Sequence, residues 1–414
     1  MKVLLSIGYG RLHLLQSARY LSAHPDIELT IICGWVPKRV NSLPIKVCSW
    51  LIGRDLSFGM AKRIEIPANV RTYSCAGAEF FTNALYVLCR GLTCERSRMA
   101  VIGWKLFGWR SRRFLKEADI YHVRSGAGQG GAIQKAKIEG MKVLVDHSMA
   151  HPGYIEESLR TIYDAHSEPL LLGSENPFYQ LVLKDCMDAD ILMVNSSFVR
   201  DTFEGMGYPV DRIRVVCQGV RGDFFGLRKR NVNHNEGHLK VLFTGTFCFH
   251  KGASVILSAI KQLKDRSVEG IVVDVVGSYD LATRWIAKHV KDNLPIEFHG
   301  HVSQDQLKSY LADSDVYVLP SLAEGCASSG LEAMAAGLCV VATRESGLPI
   351  TDGDTGYIIP LMDAVALADK LEWLAYHPDE VDRIGHSAAN LIRNQFTWEH
   401  YAENVRNVYK ELVQ

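Results

Sequence analysis

Apolar runs of strand length alternate with helical stretches along most of this chain, and this alternation constrains the fold more than any other feature. Near the start, Lys2–Ile7 and Glu28–Cys33 are apolar runs, and a helical stretch around Leu12–Leu21 lies between them. The order strand, loop, helix, strand is typical of domains in which helices cover a parallel sheet. We therefore expect the chain to begin with a doubly wound α/β domain.

The alternation forms two series, separated by a polar stretch. In the first series, further strands are expected at Asp119–Val123, Lys142–Asp146 and within 186–220. The segment RKRNVNHNEGH at 228–238 is typical of a linker. The strands expected after it are Lys240–Thr244, Ile271–Val276, Ile296–His299, Val316–Leu319, Leu338–Ala342 and Gly356–Ile359.

The length of the chain, 414 residues, exceeds what one ordinary hydrophobic core organises, so two domains are expected. We place a first domain at 1–222, a linker at 223–238 and a second domain at 239–392. The remaining segment, 393–414, has apolar residues at helical spacing and is predicted to be a helix.

Composition indicates a globular protein of the cytoplasm. Hydrophobic residues make up 47% of the chain and charged residues 22%. The ten cysteines show no CxxC spacing, so reduced buried thiols are expected and a structural zinc site is not. The first apolar run is too short for a signal peptide, and no run reaches the roughly 18 apolar residues of a membrane-spanning helix.

Charge is distributed unevenly along the chain although the net charge is zero. Residues 1–130 hold 19 Lys and Arg against 8 Asp and Glu, which is +11, and the remainder holds 27 against 38, which is −11. Basic and aromatic residues interleave over 35–118, with Arg110, Arg112 and Arg113 close together. This region is either an interfacial amphipathic segment facing an anionic membrane or a solvated basic surface over an ordinary core. Because no nucleic-acid-binding module accompanies it, no nucleic-acid partner is expected.

The segment PSLAEGCASSGLEAMAAG, 320–337, carries the strongest candidate site. Glu324 and Glu332 lie eight positions apart, and mostly small residues separate them. An apolar strand precedes the segment and a helix-forming run follows, so backbone N–H groups at the start of the helix would suit a phosphate. The alternative interpretation is a serine-capped helix with two solvated glutamates.

Three other loops follow expected strands. Lys251 begins a helix after GTFCFHKG, where it either binds an anion or is an exposed turn lysine. His147 follows an expected strand, at the edge where ligands bind in open α/β sheets, and is either functional or structural. Gly8 and Gly10 lack the third glycine of the dinucleotide-binding fingerprint, so a substrate loop is favoured over a nicotinamide cofactor site.

Together these motifs resemble those of retaining GT-B glycosyltransferases of the family 4 type. The resemblance is strongest over 186–414, moderate over 1–34 and 119–151, and absent over 35–118. It implies two Rossmann-like domains facing each other across a cleft, with a C-terminal helix that crosses back to the first domain. It also implies a nucleotide-diphosphate sugar, UDP- or GDP-linked, as donor substrate and neither cofactor nor metal.

The resemblance also assigns roles to individual residues. Glu324 would contact donor-sugar hydroxyls, Glu332 the ribose hydroxyls, and Lys251 the diphosphate. His147 would lie near the donor sugar and orient sugar or acceptor, so His147, Lys251 and Glu324 are the expected catalytic residues. The other donor-binding positions would be Gly8, Gly10, Gly245, Thr246, His301, Val302, Cys326, Ala327, Ser328 and Ser329.

Three positions depart from the family pattern. Thr246 stands where an arginine is frequent, Cys326 where an aromatic residue is usual, and Pro349-Ile350 where a PE pair often occurs. With one diphosphate charge missing, Lys251 and the helix start at Ser328 and Ser329 would provide the charge stabilisation.

The resulting hypothesis is a sugar transferase of cell-envelope polysaccharide synthesis. Its acceptor would be a glycan or a lipid-linked molecule, and the protein would be cytoplasmic, either free or peripheral on the inner face of the cell membrane. Two alternatives remain: a transferase with a small soluble acceptor, like sucrose or trehalose synthases, and a non-catalytic nucleotide-sugar-binding protein. Neither the acceptor, the linkage nor the oligomeric state follows from the sequence.

Overall fold

Two all-parallel sheets organise the chain. The computed structural model describes residues 1–9, 13–36, 45–47, 49, 66–89, 96–228, 237–279, 286–287 and 293–414. The first sheet has the strand order β3-β2-β1-β4-β5-β6-β7. Its strands are β1 Lys2–Gly8, β2 Glu28–Cys33, β3 Arg71–Ser74, β4 Ile120–Arg124, β5 Lys142–His147, β6 Ile191–Val194 and β7 Ile213–Val215.

The second sheet is built in the same way from the later series of strands. Its order is β10-β9-β8-β11-β12-β13, and all of its pairs are parallel. Its strands are β8 Leu239–Thr244, β9 Ile271–Val276, β10 Ile296–Gly300, β11 Val316–Leu319, β12 Cys339–Thr343 and β13 Tyr357–Ile359. The doubly wound α/β prediction is confirmed for both halves of the chain.

Helices connect the strands and cover both faces of each sheet. In the first half they are His13–Leu21, Ala76–Cys89, Arg96–Ser111, Ala132–Ile138, Pro152–Ala165, Pro177–Asp188 and Ser197–Gly205. In the second half they are Ala253–Asp265, Gln304–Asp313, Ser328–Ala336, Ala364–Ala375, Pro378–Gln395 and Trp398–Val413. Parallel strands need such crossovers, and each crossover buries one apolar helix stripe against a sheet.

The C-terminal helix Trp398–Val413 packs on the first sheet, although the helix before it belongs to the second half. Val405 and Tyr409 are fully buried in a cluster with residues of β1, β2 and the helix His13–Leu21. The Tyr409 hydroxyl lies 2.7 Å from His122 Nδ1, and Arg406 Nε lies 2.9 Å from Asp26 Oδ2. This helix therefore ties the end of the chain to its beginning.

The predicted linker lies only partly within the described residues. A 3₁₀ turn spans Gly222–Phe224, and residues 229–236 are not described. The last strand of the first sheet ends at Val215 and the first strand of the second begins at Leu239. The domain limits of 222, 238 and 392 stay predictions.

The basic region that the sequence left undecided contains regular structure. Residues 71–111 supply an edge strand and two helices, and the helix Arg96–Ser111 buries Trp104 and Phe107 in the core of the first half. Arg110, Arg112 and Arg113 are exposed beside that core. Residues 37–44, 48, 50–65 and 90–95 of this region lie outside the described residues. No described helix combines the length and apolar character needed to span a bilayer.

Truncating the buried face of the C-terminal helix is expected to destabilise the first half. Val405→Ala removes two buried methyl groups from a fully buried site, which costs about 2 kcal/mol. Val413→Ala on the same helix is the matched control, because Val413 is 43% exposed and its loss costs about 0.5 kcal/mol or less. Urea unfolding of both variants measures the loss in the free energy of unfolding. An equal loss in the two variants would show that packing of this helix face on the first sheet does not stabilise the fold.

Candidate active site

Each sheet reverses its winding direction at one pair of strands. In the first sheet, β2 and β3 lie on one side of β1, while β5 to β7 lie beyond β4. In the second sheet, β9 and β10 lie on one side of β8, while β12 and β13 lie beyond β11. Ligands of open α/β sheets bind at the carboxyl ends of such strand pairs. The two crevices lie after Gly8 and Arg124 in one half and after Thr244 and Leu319 in the other.

The segment after β11 leads into the helix Ser328–Ala336 without a side-chain cap. Ala327 is the N-cap residue, so the serine-capped alternative is wrong for this helix start. Ser328 is exposed and Ser329 is partly buried, and the Tyr317 hydroxyl donates to Ser329 Oγ at 2.8 Å. The Gly330 N–H donates to the Ala327 carbonyl at 2.9 Å, which leaves the N–H groups of Ser328 and Ser329 at the helix start to suit an anionic ligand.

Glu324 forms an ion pair with Lys251. Glu324 Oε1 lies 2.6 Å from Lys251 Nζ, and both side chains are about four-fifths buried, with 19% and 23% exposure. Burial alone would lower the pKa of Lys251, but the Glu324 carboxylate raises it above the usual lysine value. The lysine is therefore cationic, and its charge is held at the carboxyl edge of β8 and β11.

Close backbone contact places this ion pair. Gly252, with φ of 79°, precedes the helix Ala253–Asp265, and a Cβ there would lie 2.2 Å from the Pro320 carbonyl oxygen. The Leu322 N–H donates to the His250 carbonyl at 2.9 Å, which joins the loops after β8 and β11. Gly252 is required because only glycine allows both the positive φ and the approach.

Glu332 lies one turn inside the helix Ser328–Ala336 and is partly buried. Burial raises the pKa of Glu332 to about 7, an effect that Arg221 opposes and Asp223 adds to. Its carboxylate makes no hydrogen bond to any residue within the described ranges, so a ligand hydroxyl would find it available as an acceptor.

His147 is the last residue of β5, one position further into the strand than expected. The strand extends because His147 pairs with Val194 of β6. The ring is 2% exposed, its Nδ1 lies 3.0 Å from Ser125 Oγ, and burial lowers its pKa to about 4. His147 is therefore neutral near pH 7, and its buried Nε2 has no hydrogen-bond partner in the described part of the chain.

The two halves meet directly at this site. A Cβ on Gly325 would lie 2.0 Å from the Ser148 carbonyl oxygen, so the loop carrying Glu324 reaches the residue after His147. The Tyr163 hydroxyl lies 2.8 Å from His250 Nδ1, across the same junction. The structure thus brings the loops of His147, Lys251 and Glu324 to one junction.

The remaining predicted residues are placed as follows. Gly8 ends β1, Gly245 and Thr246 follow β8, Cys326 and Ala327 are buried, and His301 and Val302 form the turn after β10. Gly10 lies outside the described residues. Arg110 lies beside exposed Trp109 at the end of the helix Arg96–Ser111, and Arg112 and Arg113 follow in a 3₁₀ turn. Among the described residues, no recorded hydrogen bond or ion pair joins these arginines to the loops of Lys251 and Glu324. The ligand-binding roles of all these positions stay predictions.

Sequence reasoning missed Asp185, which shapes the first half of the site. Its fully buried carboxylate accepts hydrogen bonds from the Gly126 and Gly128 N–H groups at 2.7 and 2.8 Å. Burial raises its pKa to about 7. The carboxylate fixes the glycine-rich turn after β4, yet no local pattern around Asp185 shows this, because its partners lie more than fifty residues earlier.

A second cluster with metal-ligand chemistry lies towards the outer edge of the second sheet. Asp274, Glu297 and His299 each place one ligand atom within 4.8 Å of the others. His299 Nε2 is already 2.6 Å from Asp274 Oδ1, and Glu297 is exposed. The cluster is a hydrogen-bonded group on the outer strands, and the absence of a metal from the activity stays a prediction.

A known family model matches most of the second half of the chain. A model of the glycosyl transferases group 1 family matches residues 238–377. This match contains Lys251, Glu324 and Glu332.

The chain is also similar to curated glycosyltransferases. The putative colanic acid biosynthesis glycosyltransferase WcaL of Salmonella typhimurium is 28% identical over 54% of each chain. The amylovoran biosynthesis glycosyltransferase AmsK of Erwinia amylovora is 28% identical over 67% of each chain. The D-inositol 3-phosphate glycosyltransferase of Corynebacterium diphtheriae is 26% identical over 68% of this chain and 73% of that protein. The matched part thus spans between about half and three quarters of these relatives.

Solved structures share the whole architecture. Sucrose-phosphate synthase from Thermosynechococcus elongatus superposes with a TM-score of 0.72 at 17% identity, covering 100% of this chain and 99% of that one. Anabaena HepE in complex with UDP and glucose superposes with a TM-score of 0.61 at 12% identity, covering 99% and 100%. The chain shares the GT-B fold of these structures, and its residues 238–377 match the model of the glycosyl transferases group 1 family.

Proposed function

We propose that the protein is a retaining glycosyltransferase of family 4 that transfers a sugar from a nucleotide-diphosphate sugar to a glycan or lipid-linked acceptor. The observation that carries the proposal is the Lys251–Glu324 ion pair, located beside the uncapped start of the helix Ser328–Ala336. The Glu324–Glu332 spacing belongs to the E-x7-E motif of the family. The names of WcaL and AmsK support a role in cell-envelope polysaccharide synthesis.

In this proposal the donor straddles the loops after β8 and β11. The diphosphate binds Lys251 and the N–H groups at Ser328 and Ser329, so positive charge faces the oxygen that becomes negative when the bond to the anomeric carbon breaks. Stabilisation of developing charge by fixed groups is usually the largest catalytic contribution. These groups supply the charge that a bound metal would otherwise supply, which supports metal independence.

The carboxylates bind the two sugars of the donor. Glu324 accepts hydrogen bonds from the transferred sugar and keeps Lys251 in place, while Glu332 accepts from the ribose hydroxyls. His147 is neutral near pH 7, so it orients the sugar or the acceptor through Nε2 without adding charge. Retention follows from attack on the same face that the diphosphate leaves, which needs no protein nucleophile. The close approach of Gly325 to the Ser148 carbonyl leaves little room beside the reacting groups, and closure of the two halves over the donor would exclude water.

An exposed aromatic and basic surface supports association with an anionic membrane. Trp109 is 54% exposed, and Arg110, Arg112 and Arg113 follow it. Phe80 and Phe81 on the neighbouring helix are also exposed. Apolar side chains flanked by arginines are typical of proteins that bind the surface of a membrane. A lipid-linked acceptor would be reached from such a surface, whereas a small soluble acceptor would not require it.

Loss of the Lys251 or Glu332 side chain should strongly decrease the turnover of the donor. Lys251→Ala and Glu332→Ala are each expected to lower the rate of donor consumption by about a hundredfold or more, because each removes a group bound to the donor. A thermal-shift series with UDP-, GDP- and ADP-glucose first selects the nucleotide, since bound ligand raises stability. Lys261→Ala is the control, because Lys261 pairs with Asp265 at the surface of the helix Ala253–Asp265. Near-wild-type turnover in both site variants would overturn the site.

Donor affinity should depend on pH through Glu332. The folded pKa of Glu332 is raised to about 7 by burial, so the carboxylate is protonated below that pH. A carboxylate binds hydroxyl donors more strongly than a carboxylic acid does. Affinity for the selected nucleotide-glucose should therefore rise as pH increases from 6 to 8 in the wild type and stay flat in Glu332→Gln. Calorimetric titration across this range measures it, and parallel pH profiles for the two proteins would contradict the ribose role.

Charge reversal of the basic surface should weaken membrane binding. Replacing Arg110, Arg112 and Arg113 by Glu removes about 1 kcal/mol of attraction per arginine, so partition onto phosphatidylserine vesicles should fall by roughly a hundredfold at low salt. Replacing Lys261, Lys264 and Arg266 of the second half by Glu changes the net charge equally and is the control. Flotation measures partition, and equal binding of both triple variants would favour a soluble acceptor.

A further inference from the structure

Arg124 occupies the crevice of the first sheet but takes no part in the donor site described above. It is the last residue of β4, and β4 is the strand at which the first sheet reverses direction beside β1. In register it lies opposite Asp146, one residue before His147. Its position is therefore equivalent, in the first half, to the ends of β8 and β11 that carry the donor loops.

The guanidinium rests on an aromatic ring at this edge. Its central carbon lies 5.0 Å from the ring centroid of Trp104. Trp104 is itself 8% exposed and packs against the end of β1, where a Cβ on Gly8 would lie 2.2 Å from the indole. Tyr9 supports the indole from the side, with ring centroids 5.4 Å apart. The ring thus covers one side of the guanidinium, and the arginine side chain stays partly exposed.

No residue within the described ranges accepts a hydrogen bond from Arg124 or forms an ion pair with it. Burial lowers the pKa of Arg124 to about 10, and the Asp146 charge opposes this only in part. The Asp146 carboxylate itself lies 3.8 Å from His122 Nε2 and accepts from Tyr401 at 3.5 Å. The side chain is only partly buried, so its guanidinium donors face solvent rather than protein acceptors. An anionic ligand there would form charge-assisted hydrogen bonds with them.

We propose that Arg124 is an acceptor-recognition residue whose guanidinium, held on Trp104 at the end of β4, binds a phosphate or carboxylate group of the acceptor. The inference rests on the proposed function, because it takes the second half to hold the donor. The donor cradle of Lys251 and the helix Ser328–Ala336 lies on β8 and β11, whereas Arg124 lies on the sheet that faces it. A planar guanidinium binds either anion through two parallel hydrogen bonds.

Anion titration in the presence of nucleotide tests the assignment. The full chain is saturated with the nucleoside diphosphate that the thermal-shift series selects, so that the donor cradle is occupied. Inorganic phosphate and, separately, D-glucuronate are then added at constant ionic strength, and the unfolding temperature is followed. Wild type should be stabilised by at least one anion. Arg124→Gln should raise the half-saturating concentration of that anion by about tenfold or more, as expected for loss of a charged hydrogen bond.

Controls separate recognition from folding. Arg19→Gln, an exposed arginine on the helix His13–Leu21, should titrate like the wild type. Arg124→Lys keeps the charge but not the planar fork, and it should weaken anion binding less than Arg124→Gln does, which preserves the test if the glutamine variant does not fold. A response to phosphate alone assigns a phosphorylated acceptor, and a response to glucuronate alone an acidic sugar.

The remaining outcomes overturn the proposal. Equal anion titration by wild type and Arg124→Gln, or no stabilisation of the wild type by either anion, would show that Arg124 has only a structural role. Weaker nucleotide binding in Arg124→Gln would assign the arginine to the donor instead. If no nucleotide stabilises the wild type, the proposed donor site has failed, and the same anion titrations without nucleotide still decide the role of Arg124.

Discussion

The parallel arrangement of all strands is the constraint on which the rest of the structure depends. Because every strand in a sheet points the same way, the loops after the strands meet at one edge. The order reverses at β1 and β4 in one sheet and at β8 and β11 in the other, which opens a crevice at each place. Gly325 reaches Ser148 across these edges, so residues more than 170 positions apart contribute to one junction.

The C-terminal helix makes the two halves dependent on each other. Residues 364–395 belong to the second half, yet Trp398–Val413 packs into the core of the first. The helix also contacts buried polar residues of the first sheet: Tyr409 contacts His122 of β4, and Tyr401 contacts Asp146 of β5. A rearrangement of the halves on ligand binding therefore requires movement around this crossing segment.

Burial and neighbouring charges shift the pKa values of the residues at the junction in different directions. It keeps His147 neutral and raises the pKa of Glu332 towards neutrality, whereas the Glu324 carboxylate keeps Lys251 cationic. The second half thus presents a fixed cation with a helix start, and the first half presents Arg124 on an indole. One basic side chain therefore lies on each side of the junction.

Strand patterns and loop composition were enough to determine the doubly wound fold, because periodicity and glycine-rich loops are local properties. The same local patterns made Glu324, Glu332, Lys251 and His147 candidate site residues, and their roles stay predictions. The same patterns left 35–118 undecided, since its core residues Trp104 and Phe107 are interleaved with exposed arginines. The Lys251–Glu324 ion pair, the hydrogen bonds of Asp185 to the turn after β4 and the contact of Arg124 with Trp104 were decided by tertiary structure alone. Each depends on groups brought together from distant parts of the chain, and on burial that exists only once both sheets have formed.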